Sequence, residues 1–121
     1  MPDRPLDSLS IGYSVLATRA HQIVFPPADA GPEILVSVQG GAPSLGHAPP
    51  GTRVLATPGR GVAKSRNTVL EQARRRYLLF CDDDVEVSLG GVEAGIRHLC
   101  ATGHALALGR GVDHEVNARK R

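Results

Sequence analysis

Eight residues, Tyr77-Leu78-Leu79-Phe80-Cys81-Asp82-Asp83-Asp84, constrain this chain more than any others. Four large apolar side chains lead through a cysteine into three consecutive carboxylates. The apolar run is too short to span a bilayer and predicts a strand buried on both faces. Carboxylates at the end of such a strand fall where open parallel sheets bind their ligands. Three like charges in a row repel one another, so something positive is expected to gather there: a divalent metal, an arginine, or both. In an extended chain alternate side chains point the same way, which puts Asp82 and Asp84 on one face. Two such carboxylates can hold Mg²⁺ or Mn²⁺ and leave positions for diphosphate oxygens. The bland alternative is a solvated acidic turn.

Composition removes several function classes. With 121 residues the chain is one domain or part of one, long enough for a single core. Its aromatics are Tyr13, Phe25, Tyr77 and Phe80, with no Trp, too few for a sugar-stacking lectin or a base-stacking nucleic-acid binder. A formal charge of +2 implies no polyanionic partner. Cys81 and Cys100 lack metal-ligand spacing and read as free thiols in a reducing compartment. The N-terminus has no signal pattern and the chain no long apolar run, so a soluble, cytoplasmic protein without a transmembrane segment is expected.

Taken in order, residues 1–9 read as a loose lead-in, 10–110 as the folded domain and 111–121 as a polar, basic tail. Strands are expected at Ile11–Thr18, Glu33–Gln39, Arg53–Thr57, Tyr77–Cys81 and His104–Leu108. Arg19–Val24 suits a short helical turn, stopped by Pro26-Pro27. The Gly- and Pro-rich stretch 40–51 is a long loop. Helices are expected over Val62–Arg76, with Arg74 to Arg76 complementing its C-terminal dipole, and from Leu89 to about Ala101, with Ser88 as N-cap and Gly103 as the stop. Strands separated by helices make an α/β chain with a mostly parallel sheet and flanking helices. The crossover helix then starts near the carboxyl ends of the strands, beside the aspartates.

At about 100° per residue, Val62, Val69, Leu70, Ala73 and Tyr77 share one face of that helix, with Arg66 near the middle of the stripe. An arginine facing the core needs an anion, either the aspartates or a phosphate bound beside them, unless it snorkels to solvent from the first turn. Asn67 lies on the flank of the stripe, where periodicity assigns it no role. Gly59 and Gly61 allow close backbone approach at the helix start, where N–H groups favour anions, although a lone Gly-x-Gly is a weak signal.

Two other acidic motifs fail. Asp82-Asp83-Asp84-Val85 fits the D-x-D-x-[TV] pattern of aspartate-nucleophile phosphatases, but the first lysine after it is Lys120 and the motif sits late in the chain. An EF-hand loop starting at Asp82 would need glycine where Val87 stands, and would follow a helix rather than a strand.

The run Gly61-Val62-Ala63-Lys64-Ser65-Arg66-Asn67, then Leu70 and Ala73, then Tyr77 to Asp84, resembles the family 2 glycosyltransferases of the GT-A fold. Their pattern is a glycine, a short gap, Ala or Ser, Arg-Asn, a helix, an apolar strand and Asp-x-Asp. The resemblance is firm from about Arg53 to Val87 and looser over the strands at Ile11 and Glu33. It implies a GT-A, Rossmann-like nucleotide-binding half that takes a nucleotide-diphosphate-sugar donor and passes the sugar to an unidentified acceptor. Asp82 and Asp84 would be the Asp-x-Asp acids, Asp84 on a Mn²⁺ or Mg²⁺ ion and Asp82 on the ribose and diphosphate. Asp83 would fill the variable middle position, against nucleotide or metal, and Arg66 would lie against the nucleotide. Family members often carry a base-reading acid after the second strand; here that region offers Gln39, whose amide can still pair with a base edge.

The departure is in length. Family domains usually have a second half with the acceptor site and, in inverting members, a general base. Asp113, His114 and Glu115 are titratable but match no motif. The chain therefore reads as the donor-binding half of a transferase, with a partner chain or a homo-oligomer as candidates to complete it and no catalytic residue assigned. Two other classes stay open: a non-catalytic module binding a nucleotide-sugar or a partner chain, and a nucleotidyltransferase, although Ala17-Thr18-Arg19-Ala20-His21 lacks the glycines that class carries after its first strand.

Overall fold

The fold is described from a computed structural model, which describes residues 4–41, 45–103, 111–112 and 119–120. Four strands, β1 (Leu9–Leu16), β2 (Glu33–Gln39), β3 (Arg53–Ala56) and β4 (Tyr77–Cys81), form one sheet in the order β3-β2-β1-β4, with every neighbouring pair parallel. Two helices flank it: α1 (Val62–Gln72), between β3 and β4, and α2 (Leu89–Thr102), after β4. A 3₁₀ turn at Ala17–Gln22 replaces the helical turn expected after β1, and another at Pro5–Ser8 lies within the expected lead-in. Gly111–Val112 and Arg119–Lys120, in the expected tail, pair as a short antiparallel ladder, β5 with β6. The strand expected at His104–Leu108, and Asp113, His114 and Glu115, lie outside the described residues. Among the described residues no helix is long and apolar enough to cross a membrane.

The two faces of the sheet are packed by different chemistry. Leu9, Ile11, Tyr13 and Val15 of β1 and Ile34, Val36 and Val38 of β2 meet Ile96 of α2 and Ala20 and Ile23 in an apolar core. The opposite face carries Ser10, Gly12 and Ser14 of β1 and Leu35, Ser37 and Gln39 of β2. Here Ser65 of α1 donates to Ser37 Oγ (2.8 Å), and Ser37 and Thr57 share a 2.6 Å hydroxyl contact. Gly12 is a site of close approach, because a Cβ there would lie 2.1 Å from Val69 Cγ1.

That hydroxyl seam corrects the expected face of α1. Ser65 and Val69 are its buried residues, while Val62 and Leu70 of the expected stripe are exposed and Arg66 is half-exposed on the flank. The apolar pattern misplaced the helix because the sheet beneath it presents hydroxyls and a glycine, which a serine satisfies better than a valine. A second correction concerns β4. It is an edge strand among the described residues, and its Tyr77, Leu78 and Leu79 are only partly buried, not buried on both faces; the doubly buried strands are β1 and β2.

α1 ends four residues earlier than periodicity predicts. The Arg74 N–H donates to Glu33 Oε1 (2.9 Å) and the Arg75 N–H to Ser10 Oγ (3.2 Å), so side chains of the sheet take donors that a longer helix would use internally. The cation at the helix end is Arg53 rather than Arg74 to Arg76: its Nη1 donates to the Gln72 carbonyl at 2.7 Å. α2 follows its signals. Ser88 accepts from the Gly91 N–H (3.3 Å), and Gly103 closes the helix in the left-handed region at φ 72°.

Candidate functional site

The strand order reverses between β1 and β4. The chain moves outward from β1 through β2 to β3, then α1 returns it to the far side of β1. In open parallel sheets the crevice at the carboxyl ends of strands flanking such a reversal is where ligands bind. The segments leaving β1 and β4 there carry Arg19 and Asp82-Asp83-Asp84.

The strand ends at Cys81, and Asp83 and Asp84 lie in a turn closed by the Val85 N–H donating to the Asp82 carbonyl (3.3 Å). Strand alternation therefore stops before the acids, and their directions are set by the turn. Asp83 is the inner one, its side chain 13 % exposed and paired with Arg19 Nε. Asp82 is 58 % exposed and stands 3.9 Å from Arg66 Nη2. The Arg66 guanidinium also lies over the Phe80 ring, 5.8 Å from its centroid. The helix thus brings Arg66 to the acids from its exposed flank, not through the core.

Arg19 is the residue that sequence reasoning missed at this edge. The hydrogen bond to Asp83 and the Asp83 charge, with a smaller pull from Asp84, raise its pKa further above the ordinary guanidinium value. The signal that could have found it is positional: a basic residue just past the end of a central strand, facing an acidic strand end. The neighbouring Cys81 is a structural thiol. Burial, then the Asp82 charge, pushes its pKa up to about 12, so it stays protonated at neutral pH.

Gln39 closes β2 at the same edge. It is 5 % exposed, and its amide nitrogen has no hydrogen-bond partner among the described residues. A buried donor without an acceptor costs about 1–3 kcal/mol, which a ligand acceptor placed there would recover. Two shallow cavities open around the β3–α1 connection. One is lined by Gly40, Gly41, Thr57 and Arg60, the other by Thr57, Gly59, Lys64, Asn67 and Glu71. Asn67 therefore faces a cavity rather than the acids. Neither of these two cavities is lined by an aspartate.

Among the described residues no group of three or more His, Cys, Asp or Glu side chains is placed to hold a metal. What the acid loop offers is oxygen donors on consecutive residues. That suits a hard cation completing its shell with phosphate and water, as Mg²⁺ does, better than an all-protein cage.

Two arginines from different elements converge on an acid run at the reversal point of a parallel sheet. The sequence model of Glycosyl transferase family 2 matches residues 29–121, which takes in β2, β3, α1, β4 and α2. The chain belongs to that family. Its all-parallel sheet with flanking helices is the α/β, Rossmann-like GT-A arrangement, and a glycosyltransferase-type function follows in general terms. No curated protein and no solved structure matches the chain. The matched range begins after β1, so the strand that positions Arg19 is assigned to the fold by its pairing with β2 and β4.

Proposed function

We propose that the carboxyl edge of the sheet binds a nucleotide-diphosphate-sugar and that the chain contributes this donor site to transfer of the sugar onto an acceptor. The observation that carries the reading is the convergence of Arg66 and Arg19 on Asp82 and Asp83 at the β1–β4 reversal. Arg66, half-exposed and only loosely paired at 3.9 Å, can turn from Asp82 to a diphosphate. Asp82 and Asp83 would accept hydrogen bonds from the nucleotide, and the Gln39 amide would donate to a base carbonyl. Asp84 would hold Mn²⁺ or Mg²⁺. When bound, that ion supplies charge stabilisation to the diphosphate leaving group. In the transfer, the bond from the anomeric carbon to the diphosphate oxygen breaks and one to the acceptor oxygen forms; we assign no described residue as the base that takes the acceptor proton.

The test is calorimetric titration of nucleotide-sugars with Mn²⁺ present and after chelation. Metal-dependent binding of at least one donor is expected; no binding to any, with or without metal, would remove the reading. A second reading, binding without transfer, is favoured by one observation: Asp82 and Asp83 are both already paired with arginines. Donor binding with no turnover, even by hydrolysis, would select it.

A further inference from the structure

The pair between Arg19 and Asp83 has unequal ends. Asp83 contributes Oδ2 and is 13 % exposed, while the Arg19 side chain is 49 % exposed. The hydrogen bond uses Nε of the guanidinium. A guanidinium is a planar fork, so with Nε held, the edge carried by Nη1 and Nη2 is left for a second acceptor. The pair is thus closed at the acid and open at the base.

The turn Ala17–Gln22 decides where that edge lies. It leaves β1 at the reversal of strand order, so Arg19 reaches the acid loop from β1 while Arg66 reaches it from α1. The acids they touch, Asp83 and Asp82, are neighbours in the chain, about 3.8 Å apart at Cα. Two guanidinium groups from separate elements therefore bracket one peptide unit. Arg66 meets its acid loosely, at 3.9 Å, whereas Arg19 is held by a hydrogen bond.

We propose that the Nη1–Nη2 edge of Arg19 binds the diphosphate of the donor, with Asp83 as the positioning residue that aims it. This rests on the donor reading above and assigns a ligand to a residue that had none. Charge calls for such a group. A diphosphate diester is a dianion, and here it must approach three consecutive aspartates. One divalent ion does not balance that charge. Arg66 and Arg19 touch the acid loop, and each brings a cation that does not deprotonate. An arginine already fixed through Nε loses less side-chain freedom when a phosphate meets its terminal fork than an unheld one would. Asp83 keeps Oδ1 for the nucleotide.

The experiment is calorimetric titration of the full chain with uridine, guanosine, adenosine, cytidine and thymidine diphosphates in the presence of Mn²⁺. The natural chain is compared with R19A, R19K, D83N and R19A/D83N, and folding is checked by circular dichroism. The diphosphate that the natural chain binds tightest should lose about tenfold or more in R19A, the scale of a charge-assisted contact. R19K keeps a charge beside Asp83 but has no fork, so it should fold as the natural chain does and regain only part of that loss. If Asp83 aims Arg19, the double variant should lose less than the two single losses multiplied together. Binding by the natural chain that R19A leaves within about twofold overturns the proposal while the donor reading stands. R19K binding like the natural chain overturns it too, because a lysine would then rebuild a pair that only holds the acid loop. Losses that multiply in the double variant remove Asp83 as the residue that aims Arg19. No binding of any diphosphate by the natural chain removes the donor reading, and this assignment with it.

Discussion

The two ends of the sheet carry similar residues and put them to different use. At the amino end Glu33 accepts from Ser10 Oγ (2.8 Å) and from the Arg74 N–H (2.9 Å), and pairs with Arg53 at 3.6 Å. Arg53 in turn donates through Nη1 to the Gln72 carbonyl (2.7 Å) and through Nη2 to Gln72 Oε1 (3.0 Å). That cluster is closed: the Glu33 side chain is 10 % exposed and ties the end of α1 to β1 and β2. At the carboxyl end Arg19–Asp83 is closed and Arg66–Asp82 is open. Asp82 is mostly exposed, Arg66 reaches it at 3.9 Å, and the Gln39 amide nitrogen is left over. Counting ion pairs would favour the carboxyl end, where Arg19–Asp83 and Arg66–Asp82 stand against Arg53–Glu33. What separates them is whether each polar atom is already satisfied, because only the unsatisfied end has capacity for a ligand.

The largest effect that would break this contrast is at Asp84. D84N should weaken metal-dependent donor binding about a hundredfold, since loss of a single outer partner of a metal site already costs about 10–100-fold. Its melting temperature should stay near that of the natural chain. Titration calorimetry with and without Mn²⁺ reads the first, and differential scanning fluorimetry the second. Binding that survives unchanged would remove Asp84 from the site.

E33A should do the reverse. It removes one acceptor serving two donors, the Ser10 hydroxyl and the Arg74 N–H, and takes the carboxylate from Arg53, which keeps its bonds to Gln72, so a loss of about 1–3 kcal/mol is expected in urea unfolding. Donor affinity of the folded fraction should not change. A comparable loss of affinity would mean that the two ends are coupled.

The same carboxyl sharpens the contrast through pH. Burial works to raise the Glu33 pKa, but the Arg74 N–H, the Ser10 hydroxyl and the Arg53 and Arg75 charges outweigh it and hold it below the usual value. A depressed folded pKa stabilises the fold fully above the unfolded value of about 4.3 and loses that contribution as pH falls through the folded value. E33Q keeps an acceptor and cannot titrate. The stability gap between the natural chain and E33Q should therefore be widest near neutral pH and should shrink as pH falls below about 4.3, read from urea midpoints.

Smaller effects belong to Gln39 and Arg19. Q39A should weaken binding of the preferred donor about tenfold, the scale of one hydrogen bond, with little change for a donor whose base lacks a carbonyl at that point. R19A leaves the Asp83 carboxylate, 13 % exposed, without its arginine and should lower the melting temperature modestly, more than D84N does, by fluorimetry.

Much of the fold was legible because four strands announce themselves as apolar or β-branched runs bounded by Gly, Pro or charge. Glu33–Gln39 and the first residue of α1 fall where periodicity puts them. What was not legible came from partners far away in sequence. α1 is rotated by the Ser65–Ser37–Thr57 hydroxyls and by Gly12, none of which an apolar pattern registers. α1 is shortened by Glu33 and Ser10, which lie 41 and 65 residues from the backbone donors they capture. At the candidate site the acids and Arg66 were visible as a local motif. Arg19 was not, because its role depends on β1 lying beside β4, a neighbour 64 residues away from its acid.

The contrast between the ends is tested most directly by hydrogen–deuterium exchange of the chain with and without a nucleotide-sugar and Mn²⁺. The account predicts added protection at 81–85 and around Gln39 and Arg66, and none at Glu33 or at 73–75. Protection confined to the amino end, or none anywhere at a saturating donor concentration, would contradict it.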